Sequence, residues 1–242
     1  MFRVARSREG GEVTHYDLYK VEEYKGMTIL DALFQIQDDM DESLSFRYSC
    51  RGAVCGSCAM LIDKVPCLAC RTQVATIKAN KVSIKDPFEA LTSQPLGWDS
   101  EKEILVEPLP NLPILKDLVV DMTRFYDALD SLKLWSDPPE SDVERLQSPD
   151  DRKKIERYVN CIMCALCYGS CPVNARDETY LGPAALAKSY RFNQDSRIEG
   201  SRYLESARQS NGAPLCDLIM NCVRVCPKGV APGGAIRKIK ES

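Results

Sequence analysis

Histidine is almost absent: His15 is the only one in 242 residues. That excludes a histidine-rich zinc site, and it excludes a haem held by two histidines of this chain. His15 itself sits in a Tyr- and Val-containing stretch and reads as a surface residue near a strand. Long apolar runs are missing too, and none approaches the roughly 18 consecutive apolar residues that span a bilayer. There is no surplus of basic charge. Lys and Arg number 32 against 35 Asp and Glu, for a formal net charge of -3, which argues against nucleic acid as the main partner, because phosphate recognition gathers excess Lys and Arg on one face. The opening MFRVARSREGGEVTHYD has basic residues but no apolar h-region, so it is read as carrying no secretory signal.

Cysteine, in contrast, is plentiful, with twelve in the chain. They are too sparse for a small disulfide scaffold and they cluster, which points to metal. With 44% hydrophobic residues the chain can bury a core, and its length suits two domains of ordinary size or one large one.

The first part reads as a small α+β domain over residues 1–105. EVTHYDLYKVEEY has strand composition. GMTILDALFQIQDD repeats apolar residues at helical spacing, with Thr28 and Asp31 in the form of a capping box. A loop from Cys50 to Cys58 carries Gly52 and Gly56, and the short β-like runs AMLID and KVSI surround it. The prolines of VEPLPNLPILKD, Pro108, Pro110 and Pro113, break helix and place the boundary. The second domain, residues 106–242, reads as mostly helical. DMTRFYDALDSLKLW puts Met122, Phe125, Tyr126, Leu129 and Leu132 on one face for core packing. WSDPPESD is a loop, and SPDDRKKIERYVN starts a helix with Ser148 as N-cap, Pro149 in its first turn and Asp151 in third position. LGPAALAKSYRF starts another with a proline in its first turn.

Cys50, Cys55 and Cys58 have the spacing C-x4-C-x2-C, with Cys70 following 12 positions later. This is the plant-type ferredoxin pattern for a 2Fe-2S cluster held by four thiolates. The glycines suit a tight loop whose backbone N–H groups face the cluster sulfurs. Structural zinc, which pairs its thiolates as C-x2-4-C, is the alternative. Cys67, in C-x2-C spacing with Cys70, competes for the fourth place, although a free buried thiol is the role assigned to it.

Two further segments repeat each other. CIMCALCYGSCP (Cys161–Pro172) and CDLIMNCVRVCP (Cys216–Pro227) superimpose at an offset of 55 residues, except that Cys164 falls on Ile219. The first copy matches the bacterial C-x2-C-x2-C-x3-C-P run, in which the fourth cysteine goes to the other cluster. That crossover assigns Cys161, Cys164, Cys167 and Cys226 to a 4Fe-4S cluster. Cys171, Cys216 and Cys222 are left at a site where Ile219 cannot ligate, so the expected occupant is 3Fe-4S.

Over nearly its whole length the chain resembles the iron-sulfur subunit of the succinate dehydrogenase and fumarate reductase family. The resemblance rests on SCRGAVCGSCAM, LACRT, PLPNLPILKDLVVDM, the paired CP segments, LGPAAL with YRFNQDSR, and NCVRVCPKG. It implies a β-grasp ferredoxin domain followed by an all-α ferredoxin-like domain. The implied function is a relay: electrons pass from an FAD-containing flavoprotein subunit through the three clusters to quinone at a membrane-anchor subunit, a cytochrome b, or in reverse for fumarate reduction. The implied location is peripheral, on the cytoplasmic face of a prokaryotic inner membrane. The same module could serve a fumarate reductase with a different donor. From another class, a free soluble ferredoxin-type carrier is disfavoured by three centres and a vacant ligand position. Pro172 matches a quinone contact of the family. Arg176 stands where ubiquinone-using members often have Trp, and Asp217 where they often have His, departures that suit a menaquinone user or a different anchor.

Overall fold

The structure, a computed structural model, describes residues 1–8, 10–80, 95–136, 144–198 and 202–242. The chain forms two compact units, one of Met1–Met122 with Met163–Ser170, the other of Thr123–Ile162 with Cys171–Ser242. No helix among the described residues is long and apolar enough to cross a membrane.

The first unit is built on a mixed sheet. Strands β1 (Phe2–Ser7), β2 (Val13–Tyr19), β3 (Ala59–Ile62), β4 (Val65–Leu68) and β5 (Ile104–Glu107) lie in the order β2-β1-β5-β3-β4. β1 and β5 run parallel and the other pairs antiparallel. Val4, Ala5, Ile62, Leu105 and Val106 are fully buried, and burial of the larger of these, Val, Ile and Leu, supplies roughly 1.5–3 kcal/mol each. The boundary expected between residues 105 and 106 falls inside β5, whose pairing with β1 carries the chain on toward the prolines.

Helix α1 (Ile29–Asp39) has the expected capping box, with Thr28 Oγ1 accepting from Asp31 N at 3.2 Å and Asp31 Oδ2 accepting from Thr28 N at 2.9 Å. Of the apolar positions read from sequence it buries Ile29, Leu30, Leu33 and Ile36, while Phe34 is half-buried. Helix α2 (Val74–Asn80) follows β4, and β6 (Ile114–Lys116) and β7 (Val119–Val120) form a small hairpin. The KVSI run lies outside the described residues, as does most of WSDPPESD.

Charges inside this unit are paired. Lys64 Nζ meets Glu107 at 2.7 Å with both side chains buried, and Tyr16 donates to the same carboxylate at 2.8 Å. Arg6 bonds Asp117, Asp17, Tyr19 and Asp41. Asp117 also accepts from Ser7 N and Ser45 N at 3.0 Å, which fixes the segment leading into the first cysteine loop.

The second unit is helical in its regular elements. Helices α3 (Thr123–Ser131), α4 (Pro149–Val159), α6 (Pro172–Arg176), α7 (Gly182–Gln194), α8 (Arg202–Ala207), α9 (Asn221–Arg224) and α10 (Pro232–Glu241) belong to it, while α5 (Leu166–Gly169) groups with the first. Helix α7 is the hub: α3, α4, α8 and α10 all pack on it. Gly182, Ala184, Ala185 and Ala187 are buried, and side chains this small let neighbours approach on several sides. Ser148 caps α4 as its sequence indicates, accepting from Asp151 N at 3.1 Å. The stripe expected on α3 is narrower than its pattern suggested. Phe125, Leu129 and Leu132 are buried, Met122 is half-buried, and Tyr126 is 44% exposed. One residue past Phe125 is 100° round the helix, outside the i, i+4, i+7 seam.

Candidate metal centres

A two-residue hairpin turn sets the distance between Cys58 and Cys70. β3 and β4 pair from Ala59 with Leu68 to Ile62 with Val65, closing through Asp63 and Lys64 at φ 43° and 67°. That conformation favours Asn-Gly, and here the carboxylate of Asp63 holds it by accepting from Leu105 N at 2.7 Å. The register brings Ala69 N to Cys58 O at 3.0 Å, so Cys70 emerges beside Cys58, and its N–H donates to Cys58 Sγ at 3.5 Å. The carbonyls of Ala69 and Thr72 accept the N–H groups of Leu30 and Ile29, which anchors the Cys70 segment to the first turn of α1.

The loop from Cys50 to Cys55 turns its N–H groups toward sulfur. Cys50 Sγ accepts from Gly52, Val54 and Cys55 at 3.4, 3.2 and 3.2 Å; Cys70 Sγ accepts from Ala53 at 3.3 Å; Cys55 Sγ accepts from Cys50 N at 3.5 Å. Its left-handed positions are Arg51, Ala53 and Gly56, so Gly52 is not a turning residue as its place in the loop suggested. Arg51 is steadied by stacking, its guanidinium 4.7 Å from the Phe34 ring centre and 5.5 Å from that of Tyr48. Burial raises the Cys55 thiol, but hydrogen bonds from Ser57 and Cys50 outweigh it and bring the pKa to about 6. Burial pushes Cys58 up to about 12, with Cys70 and Cys55 adding to the rise. Cys67 stands apart on β4 opposite Met60, its thiol pushed up to about 11 by burial against a hydrogen bond with Thr72.

In the second unit, Cys171, Cys216 and Cys222 lie near enough for the charge of one to act on another. Burial raises Cys171, with Cys216 adding to it, and pushes Cys222 up to about 12, with Cys171 and then Cys216 as charged neighbours. Thiols this reluctant to ionise together are relieved when cationic iron replaces their protons. Cys171 Sγ accepts backbone N–H bonds from Asn174 and Val173, Cys222 Sγ one from Gly233, and Cys216 Sγ one from Leu218 at 3.4 Å. Ile219 is 46% exposed. Beside the triad lies Tyr180, 1% exposed. Burial raises its pKa first, then the charges of Cys216 and Cys171, so the phenol keeps its proton.

Cys161 and Cys226 pack against one buried cluster of Tyr158, Ala187, Val230 and Ala235, and Cys226 Sγ accepts from Val230 N at 3.4 Å. Cys164 and Cys167 lie in the Met163–Ser170 stretch of the first unit. There Asn111 Nδ2 donates to the carbonyls of Tyr168 and Gly169 at 3.2 and 3.0 Å, and a Cβ on Gly169 would come within 2.7 Å of Leu109.

Pro172 opens α6, which ends at Arg176. Arg176 and Asp217, separate departures in sequence, are partners: Nη1 meets Oδ2 at 2.7 Å on the surface. Sequence alone carried no signal for this pair, for Arg51 over its rings, or for Tyr180.

The donor sets fit iron-sulfur clusters. The grouped side chains are thiols, and backbone N–H groups donate to them, as thiolates and cluster sulfides require. Among the described residues no three His, Cys, Asp or Glu side chains converge on a single-ion site, so the fit rests on this donor chemistry.

Comparison with known proteins agrees. Residues 1–127 match the family described as a 2Fe-2S iron-sulfur cluster binding domain, and residues 158–230 the 4Fe-4S dicluster domain. The chain is 37% identical over 230 residues to the fumarate reductase iron-sulfur subunit of Mycobacterium tuberculosis, covering 93% of this chain and 84% of that one. It is 39% identical over 236 residues to the mitochondrial succinate dehydrogenase [ubiquinone] iron-sulfur subunit of Candida glabrata, covering 95% and 85%. A chain of the Mycobacterium smegmatis Sdh1 complex in the apo form shares the fold, with TM-score 0.81 at 23% identity over 99% of this chain and 93% of that chain. Two cluster-binding domains in this order, with identity at this level along almost the entire chain, mean that it belongs to the iron-sulfur subunits of the succinate dehydrogenase and fumarate reductase family, which transfer electrons through iron-sulfur clusters.

Proposed function

We propose that eleven of the twelve cysteines hold three clusters of a fixed relay. An N-terminal β-grasp domain, running on through β5 past the boundary expected at residue 105, holds 2Fe-2S through Cys50, Cys55, Cys58 and Cys70. A helical ferredoxin domain after it holds 4Fe-4S through Cys161, Cys164, Cys167 and Cys226, and 3Fe-4S through Cys171, Cys216 and Cys222. When bound, these clusters supply one-electron transfer between an FAD-containing flavoprotein subunit and quinone at a membrane anchor carrying cytochrome b. The chain's part is to hold each thiolate in place, turn N–H donors toward sulfur and set the order of the centres. Pro172 and Arg176 are assigned to the quinone vicinity, with Asp217 orienting Arg176. The complex is assigned to the cytoplasmic face of a prokaryotic inner membrane.

The observation that carries this reading is the grouping of Cys171, Cys216 and Cys222 with an isoleucine where a fourth thiolate would stand. Purification of the native complex tests it. The expected preparation contains a flavoprotein, oxidises succinate with quinone as acceptor, and shows the paramagnetic signal of an oxidised three-iron cluster. A chain that purifies alone and passes electrons between soluble enzymes is a free carrier. A complex that reduces fumarate from another donor but does not react with quinone belongs to the alternative reductase.

A further inference from the structure

The buried phenol of Tyr180 is unexplained by packing alone. Its hydroxyl makes no hydrogen bond of full geometry among the described residues, the thiol of Cys216 being the one side chain that engages it, although only 1% of the residue is exposed. Leaving a buried hydroxyl unpaired is unfavourable, and such a group in a native structure calls for a partner not yet in place. The same stretch of chain fixes its position relative to Cys171. Asn174 sends its backbone N–H to Cys171 Sγ and its Nδ2 to the carbonyl of Tyr180 at 3.2 Å. Asp177 O accepts from Tyr180 N at 3.3 Å. The charged groups that act on the phenol are the three thiols of the triad.

The geometry points to Tyr180 as a cofactor-contacting residue whose O–H donates a hydrogen bond to a sulfur of the cluster held by Cys171, Cys216 and Cys222, favouring its reduced form. This rests on the proposed three-cysteine reading of that site. Hydrogen bonds to cluster sulfurs raise the reduction potential, because they stabilise the extra negative charge of the reduced state. The phenol does so without adding a charge or a water molecule to the site.

Tyr180→Phe in the assembled complex removes the donor and keeps the ring. The expected result is a reduction equilibrium less favourable by about tenfold, which for one electron is a fall of ~59 mV in midpoint potential. The oxidised three-iron signal should persist, and electron-nuclear double resonance should show the loss of one deuterium-exchangeable proton coupling present in the unmutated complex. An intact signal with unchanged potential would overturn the assignment. So would a shifted potential with the exchangeable coupling retained, which would assign the change to packing. If the unmutated complex shows no three-iron signal, the reading of the site fails, and this inference with it.

Discussion

The two cysteine segments repeat one backbone with different ligands. In Cys161–Pro172, Met163 and Ala165 are left-handed at φ 52° and 59°, and the helix α5 follows; in Cys216–Pro227, Leu218 and Met220 are left-handed at 56° and 69°, and α9 follows at the same offset. Non-glycine residues in this conformation are strained by of order 1–3 kcal/mol each and persist only where the surroundings impose them. Both segments keep the two left-handed residues at the same places although only one has a cysteine at its second position. The turn is therefore independent of the ligand count. The segments part again after the proline: α6 follows Pro172, whereas after Pro227 the chain turns at Gly229, φ 64°, before α10.

Exchanging the last cysteines breaks this comparison most severely. Cys226→Ser should abolish the four-iron signal of the Cys161 segment and Cys171→Ser the three-iron signal, each seen by electron paramagnetic resonance of the complex. Losses confined to each segment's own cluster would mean local ligation and no crossover. The packing of Cys226 with Cys161 on one apolar cluster, and of Cys171 with Cys216 and Cys222, favours the crossed result.

Next in size is Ile219→Cys, which makes the second segment identical to the first in its ligand pattern. It should convert the three-iron site to 4Fe-4S and disfavour reduction by about tenfold or more, ~59 mV per decade. Quinone reduction would slow while succinate oxidation with an artificial acceptor at the flavin stays near normal. An unchanged oxidised three-iron signal would show that residue 219 does not face the open corner.

The smallest effect is expected at Gly233, which lies over the second segment's left-handed turn. An added Cβ would stand 2.4 Å from Met220 Sδ and 3.4 Å from Cys222 Sγ. The thioether is flexible and can move, so Gly233→Ala should cost about 1 kcal/mol, the low end of overpacking, and lower the melting temperature by about 2–4 °C. A loss of the three-iron signal in this variant would show that the turn has no room to adjust.

Much of the first unit could be read from local pattern. The cap at Thr28 and the stripe of α1 depend on residues within a few positions of one another, and both are present. Strand β1 escaped notice because Arg3 and Arg6 obscure its apolar face, yet Arg3 is paired with Glu103 and Arg6 with Asp117. Their partners lie 100 and 111 residues away, beyond any window that reads periodicity. The β3–β4 turn was equally hidden, since Asp63-Lys64 lacks the Asn-Gly signal and is held by Leu105 and Glu107.

Spacing by itself suggested how the cysteines group, because three cysteines within one turn can reach one cluster and the repeat implies the crossover of the fourth. It also exposed the vacancy at Ile219, since a missing ligand shows directly in a repeat. The sequence preferred Cys70 to Cys67 without a physical reason, and the tertiary structure supplies one, because the hairpin register brings Cys70 out at the strand end beside Cys58. Only the fold brought Arg176 to Asp217 and Tyr180 within the influence of three thiols. These are meetings of single side chains from distant segments, and such contacts leave no period or motif in the sequence because they arise when helices and loops pack.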